Sequence, residues 1–173
     1  MDVKGVSAHC AAMKPFNRKF AGVLTLAITA NFITIAPLSA IGQDADHWLD
    51  EPRSVGDWSY RQNIDESRAQ YLGAGGELFS LTCKFSAQKI QMDRPVAAAR
   101  AGMMRIRTET GDRVFNATPN AGANTVSIML NQNDPLLDAM AITKGRFAVE
   151  LEGAPTLYLP SWAEVTRVIE DCR

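Results

Sequence analysis

The sequence predicts a mainly β domain of the β-rich α+β kind. The expected form is an antiparallel sheet or small sandwich of about eight short strands, with one short helix and a C-terminal helix. Three observations carry this. Apolar and polar residues alternate in short runs through most of residues 57–160. Consecutive runs are separated by connections of hairpin length. Helical spacing appears only twice, both times late in the chain, so strands and helices do not alternate as they would in a parallel α/β sheet.

The elements follow in order. Residues 43–56 carry Asp44, Asp46, Asp50, Pro52, Ser54 and Gly56 with little periodicity, and read as an exposed, flexible leader on which Trp48 and Leu49 dock. The domain proper is expected over 57–173. Trp58 and Tyr60 alternate with polar residues, as in a half-buried strand. Residues 64–76 are polar and end in Gly73-Ala74-Gly75-Gly76, which predicts a flexible loop. Residues 77–85 form a strand with Phe79, Leu81, Cys83 and Phe85 on one face. Ile90 and Met92 mark its return strand. The Ala-rich stretch 95–102 reads as a loop. Residues 103–108 alternate again. Thr110-Gly111-Asp112 reads as a turn and 113–117 as its return strand. Residues 119–124 read as a loop, and Val126, Ile128 and Leu130 mark a further strand.

Asn133-Asp134-Pro135 predicts a helix start, because an Asp side chain caps free N–H groups and proline suits the first helical position. Leu136, Leu137 and Met140 form its apolar stripe, and the helix ends near Thr143 and Gly145. Phe147, Val149 and Leu151 form a strand, Gly153-Ala154-Pro155 a turn, and Leu157 and Leu159 the partner strand. The last helix starts at Ser161, where Ser161 and Glu164 have capping-box spacing. Trp162, Val165, Ile169 and Cys172 fall on one face of it.

The first 42 residues have a different character. Lys14, Arg18 and Lys19 form a basic cluster, an apolar run covers 20–38, and Ala40 and Gly42 give a small-x-small pattern. Positive flank, apolar centre and small-residue end describe a secretory signal peptide over 1–42, cleaved after Ala40 or after Gly42. Met13-Lys14 reads as an alternative start. An uncleaved inner-membrane anchor and a buried core helix are the other readings of the same run. Export places the protein outside the cytoplasm.

Cleavage changes the composition. Residues 43–173 hold 14 Lys plus Arg against 18 Asp plus Glu, a net charge of -4, and two of the three cysteines. Cys10 leaves with the signal. Cys83 and Cys172 remain, an even count that suggests one disulfide in an oxidising compartment. The near-neutral whole-chain charge of -1 argues against a nucleic-acid partner. No membrane span is expected after cleavage, and the oligomeric state is open.

Catalytic constellations are mostly missing from the sequence. His47 is the one histidine after the signal, which leaves little for a Ser-His-Asp or Cys-His arrangement or a His/Cys metal site. Gly73-Ala74-Gly75-Gly76 lacks the Lys-Ser/Thr of a P-loop. No catalytic residue, metal or cofactor is therefore expected. The cluster that stands out is basic: Arg105 and Arg107 share a strand face, Arg113 opens the return strand, and Arg94 and Arg100 lie nearby in sequence. Arginines on one face suit bidentate binding of an anionic envelope component or an acidic envelope protein. A charged, solvated edge strand, protected against aggregation, is the simpler explanation of the same residues.

The principal functional expectation is thus a non-enzymatic periplasmic or envelope binding domain. One alternative is a small carboxylate-dependent hydrolase of envelope glycans, drawing on Glu77, Glu109, Glu150 or Glu152. The other is an inhibitor or accessory subunit anchored through Trp58 or Trp162. Both tryptophans also suit core packing.

Several segments bear on family. Gly56-Asp57-Trp58-Ser59-Tyr60-Arg61, Leu81-Thr82-Cys83, Asp134-Pro135-Leu136-Leu137-Asp138-Ala139-Met140-Ala141, Gly145-Arg146-Phe147 and the stretches 157–160 and 167–173 resemble a group of small exported alphaproteobacterial proteins. The resemblance spans most of 56–173 and implies a periplasmic envelope protein. It brings no catalytic residues. A looser likeness, in general shape, is to the invasion-associated locus B proteins.

N-terminal sequencing of the exported protein should begin at Ile41 or Gln43, and alkylation without reductant should label no thiol. An intact Met1 or Met13, or two labelled cysteines, would overturn the corresponding expectation.

Overall fold

Alternation builds the sheet. In the computed structural model, which describes residues 47–120 and 122–173, every second residue of most strands points into one core. The described residues belong to the compact unit spanning 40–173. The expected signal peptide, its cleavage sites and the first residues of the leader lie outside the described residues.

Among the described residues nine strands form one sheet: β1 (Asp57–Gln62), β2 (Glu66–Gly73), β3 (Gly76–Lys84), β4 (Lys89–Pro95), β5 (Gly102–Thr108), β6 (Gly111–Asn120), β7 (Thr125–Asn131), β8 (Arg146–Leu151) and β9 (Leu157–Pro160). Two helices complete it, α1 (Pro135–Ile142) and α2 (Ala163–Asp171). The spatial order is β1-β2-β3-β4-β7-β6-β5-β8-β9, and every pairing is antiparallel. This is the β-rich α+β class that the sequence predicts.

The sheet curls until its edges are bridged. The Trp58 indole on β1 donates to the Pro160 carbonyl on β9 at 2.8 Å. Ser54 N donates to the Tyr158 carbonyl, and Tyr158 N donates to Ser54 Oγ, both at 3.0 Å. Trp58 also packs edge-on against Tyr71, with ring centroids 5.1 Å apart. Phe79, Leu81, Ile90, Met92, Met104, Ile106 and Phe147 fill the interior with no exposed surface.

The helices close the core. Asp134 caps α1 by accepting from Leu136 N at 3.0 Å, and Leu136, Leu137 and Met140 are buried, as the sequence predicts. In α2, Val165, Val168 and Ile169 face the core. Cys83 on β3 and Cys172 after α2 form a disulfide, with Cα atoms 5.4 Å apart. The Tyr60 hydroxyl donates to Asp171 at 2.6 Å, so the end of α2 is also tied to β1.

Several local expectations are corrected. Residues 66–73 are a strand, not part of a flexible loop. Ser67, Ala69 and Tyr71 alternate inward, but serine and alanine carry too little hydrophobicity to register as a pattern. Residues 51–56 are not a free leader, because Ser54 is bound to β9 and the Tyr71 hydroxyl donates to the Ser54 carbonyl at 2.6 Å. Gly56 permits that approach: a Cβ there would sit 2.6 Å from the Leu72 carbonyl oxygen. β6 runs through Pro119 to Asn120; β5 ends its pairing opposite Ala117, so Pro119 has a neighbour on one side only, where proline is tolerated. The capping box does not form. Trp162 is the N-cap with no side-chain bond, and Ser161 Oγ donates to the Met140 carbonyl of α1 instead.

Trp58→Phe keeps the ring but leaves the Pro160 carbonyl without its donor, and should cost about 1–3 kcal/mol in urea denaturation. Removing both cysteines opens a closed loop with a sequence separation of 89. That should cost about 4–5 kcal/mol in the chain-entropy account.

Candidate functional site

The basic cluster separates into two faces. β5 and β6 meet in register Ile106↔Arg113, Arg105↔Val114 and Arg107↔Asp112. Residues directly opposite share a face, so Arg105 and Arg107 point one way and Arg113 the other, beside buried Ile106. The sequence predicts a turn at Thr110-Gly111-Asp112. The strands instead pair as far as Thr108↔Gly111, which leaves Glu109 and Thr110 as the turn. A one-residue change of turn sends a side chain to the opposite face.

Each of these arginines already has a carboxylate. Arg107 Nη1 lies 3.2 Å from Glu150 Oε1, and Arg105 Nη1 lies 3.8 Å from Glu150 Oε2. Arg105 Nε is 3.5 Å from Asp112 Oδ2. Arg113 pairs with Asp134, the α1 cap, and its guanidinium lies 4.8 Å from the Phe115 ring centroid. Arg105 and Arg107 line a cleft of about 600 Å³ together with Trp48, Glu109, Asp112 and Glu150. Three carboxylates outnumber the two guanidiniums, so the cleft has no positive excess with which to recruit an anion. Trp48 is buried at its edge, with the Arg107 guanidinium 5.4 Å from the ring centroid.

Glu77 is engaged by Arg68 at 2.7 Å and by Gln70. Glu109 and Glu150 share the Arg105–Arg107 cleft, but both oxygens of Glu150 face guanidinium groups. Glu152 is exposed; it lines a shallow pocket with Glu150 and Arg105 and also borders a second, separate cavity. Of the two candidate anchors, Trp58 is in the core, while Trp162 is 36 % exposed with the Arg53 guanidinium 5.0 Å from its ring centroid. Among the described residues, no group of three His, Cys, Asp or Glu could hold a metal ion.

A second cavity has the character the first lacks. It is a cup of about 830 Å³ between the β4–β5 connection, residues 96–101, and the β8–β9 turn. Leu78, Val96, Val126, Leu151 and Pro155 give it apolar walls, and Arg94 lies against it. Arg94 is 5 % exposed. It shares the strand face of Ile90 and Met92, and its register partner is Val126. Its neighbour Asp93 is directed to the opposite face, where Gln91 Nε2 donates to it at 2.7 Å and Ser127 Oγ also donates.

Arg94 is thereby separated from the nearest acid in sequence. Its Nη1 donates to the Leu78 carbonyl at 2.7 Å and its Nη2 to the Pro155 carbonyl at 3.0 Å, while buried Nε has no partner among the described residues. Burial pulls the guanidinium below its ordinary pKa, which is the expected penalty for a charge removed from water. Gly153 shapes the far wall, with a φ of +77° that an L side chain adopts only with strain. The sequence signal for this site is strand parity: Ile90, Met92 and Arg94 fall at every second position, which puts a charge on the core face.

Compared with protein-family models, with curated proteins and with solved structures, the chain matches none.

The two halves of the Trp48 cleft should separate in urea denaturation. Trp48→Ala empties a buried ring site and should cost about 3–5 kcal/mol. Glu150→Gln loosens partly exposed ion pairs and should cost about 1 kcal/mol or less, shrinking further in high salt.

Proposed function

We propose that this chain is a non-catalytic binding domain of the Gram-negative envelope, exported to the periplasm, with its ligand site in the cup beside Arg94. The observation that carries the reading is a buried guanidinium against an apolar cavity, bonded to neutral carbonyls and to no carboxylate of the described residues. Small-molecule sites are characteristically concave and apolar with a few placed polar groups, and at about 830 Å³ the cup is within their usual size. The Cys83–Cys172 disulfide supports an oxidising compartment. Membership of the small exported alphaproteobacterial group belongs to the same proposal. Arg105, Arg107 and Arg113 act in it as paired surface charges rather than as the anion site.

The test uses the purified exported protein and the neutral apolar dye N-phenyl-1-naphthylamine. Saturable fluorescence enhancement at one dye per chain is expected. Ala98→Trp, which fills the cup from the exposed β4–β5 connection, should abolish it with the circular dichroism unchanged. Absence of saturable binding, or full binding by a folded Ala98→Trp protein, would overturn the reading.

A further inference from the structure

Resting on the cup as a ligand site, we propose that its occupant is a monocarboxylate with an apolar tail, bound with its carboxylate on Arg94 and its tail along the cup. A guanidinium carries five N–H donors. Two hydrogen bonds are made here, to the Leu78 and Pro155 carbonyls, and both acceptors are neutral. Carbonyl dipoles solvate a cation without cancelling its charge. An ionic partner is therefore missing at a position where an unneutralised charge is most costly.

The fork of Arg94 matches a planar carboxylate, which accepts two parallel N–H bonds. Its charge also selects the head group. One guanidinium cancels one negative charge; a phosphate monoester brings close to two and would leave the second uncompensated. Glu152 and Arg100 also line the cavity, one negative and one positive charge that offset each other and leave Arg94 as its net charge. The walls select the tail. Leu78, Val96, Val126 and Leu151 offer it no hydrogen bond, so each added methylene should strengthen binding by about three- to fourfold.

Isothermal titration of the exported protein with ten-carbon probes tests this. Decanoate should bind one per chain, at least about tenfold tighter than decanol and than decyl phosphate, and decyltrimethylammonium should bind weakest. Octanoate should bind about tenfold more weakly than decanoate. In Arg94→Met, decanoate should fall to or below the affinity of decanol while decanol keeps its wild-type affinity; Arg94→Lys should lie between. Decanol or decyl phosphate matching decanoate in the wild type would overturn the carboxylate assignment and leave the cup as a ligand site. Failure of all four ten-carbon probes to bind would overturn the cup reading itself. The wild-type series decides both points if Arg94→Met does not fold.

Discussion

Everything in this domain depends on how a nine-stranded antiparallel sheet disposes of its two edges. An open sheet of this size would leave one face wet and two strands with unpaired backbone groups. Here the edges are not zipped strand to strand. They are bridged by Trp58, whose indole reaches the Pro160 carbonyl, and by Ser54, which exchanges two hydrogen bonds with Tyr158. Closure turns one sheet face into an interior, and the buried residues of α1 and α2 complete it. The disulfide then ties α2 to β3 on that same face.

A curled sheet encloses space it cannot fill uniformly, and the cup is where filling stops. The strand ends around it are joined by a connection rich in alanine and by a turn that needs glycine, so side-chain volume is scarce on both sides. Arg94 performs two tasks there. It joins the Leu78 carbonyl of β3 to the Pro155 carbonyl after β8, strapping two distant segments through one planar group. It also brings a charge to the inside of a cavity with apolar walls. The Arg105–Arg107 cleft contrasts with it: Arg105 is exposed, and both cations are matched by carboxylates.

Much of the fold was legible in the residues, and the failures have physical causes. β3, β4, β5, β7 and β8 alternate bulky apolar with polar residues, so period two is visible. β2 carries the same period on Ser67 and Ala69, which fit a tight interior because they are small and are inconspicuous for that reason. The cap of α1 was readable because Asp134 acts on a backbone N–H two residues away. Ser161 near α2 was not, because its partner, the Met140 carbonyl, lies on another helix. Turn length is similarly opaque: a two-residue turn at Glu109 and Thr110, against the expected three-residue one, reversed Arg113. Arg94 was present in the parity of its strand, yet a charge at an inward position reads as a break in the pattern until the cavity beside it is seen.

The bridge between β1 and β9 has a consequence for the order of events in synthesis. The two residues of the Trp58–Pro160 bond are 102 positions apart, and Cys83 waits 89 residues for its mate. Hairpins β1–β2 and β2–β3 can pair as soon as they emerge, but the interior they face has no lid until the final strand and helix are made. Contacts of such long sequence separation form late and slowly. Through that interval Cys83 is an unmated thiol on an uncovered apolar surface, open to any oxidant or wrong partner. The apolar face therefore stays open until β9 is made, and Cys83 keeps its thiol longer still, until Cys172 follows α2.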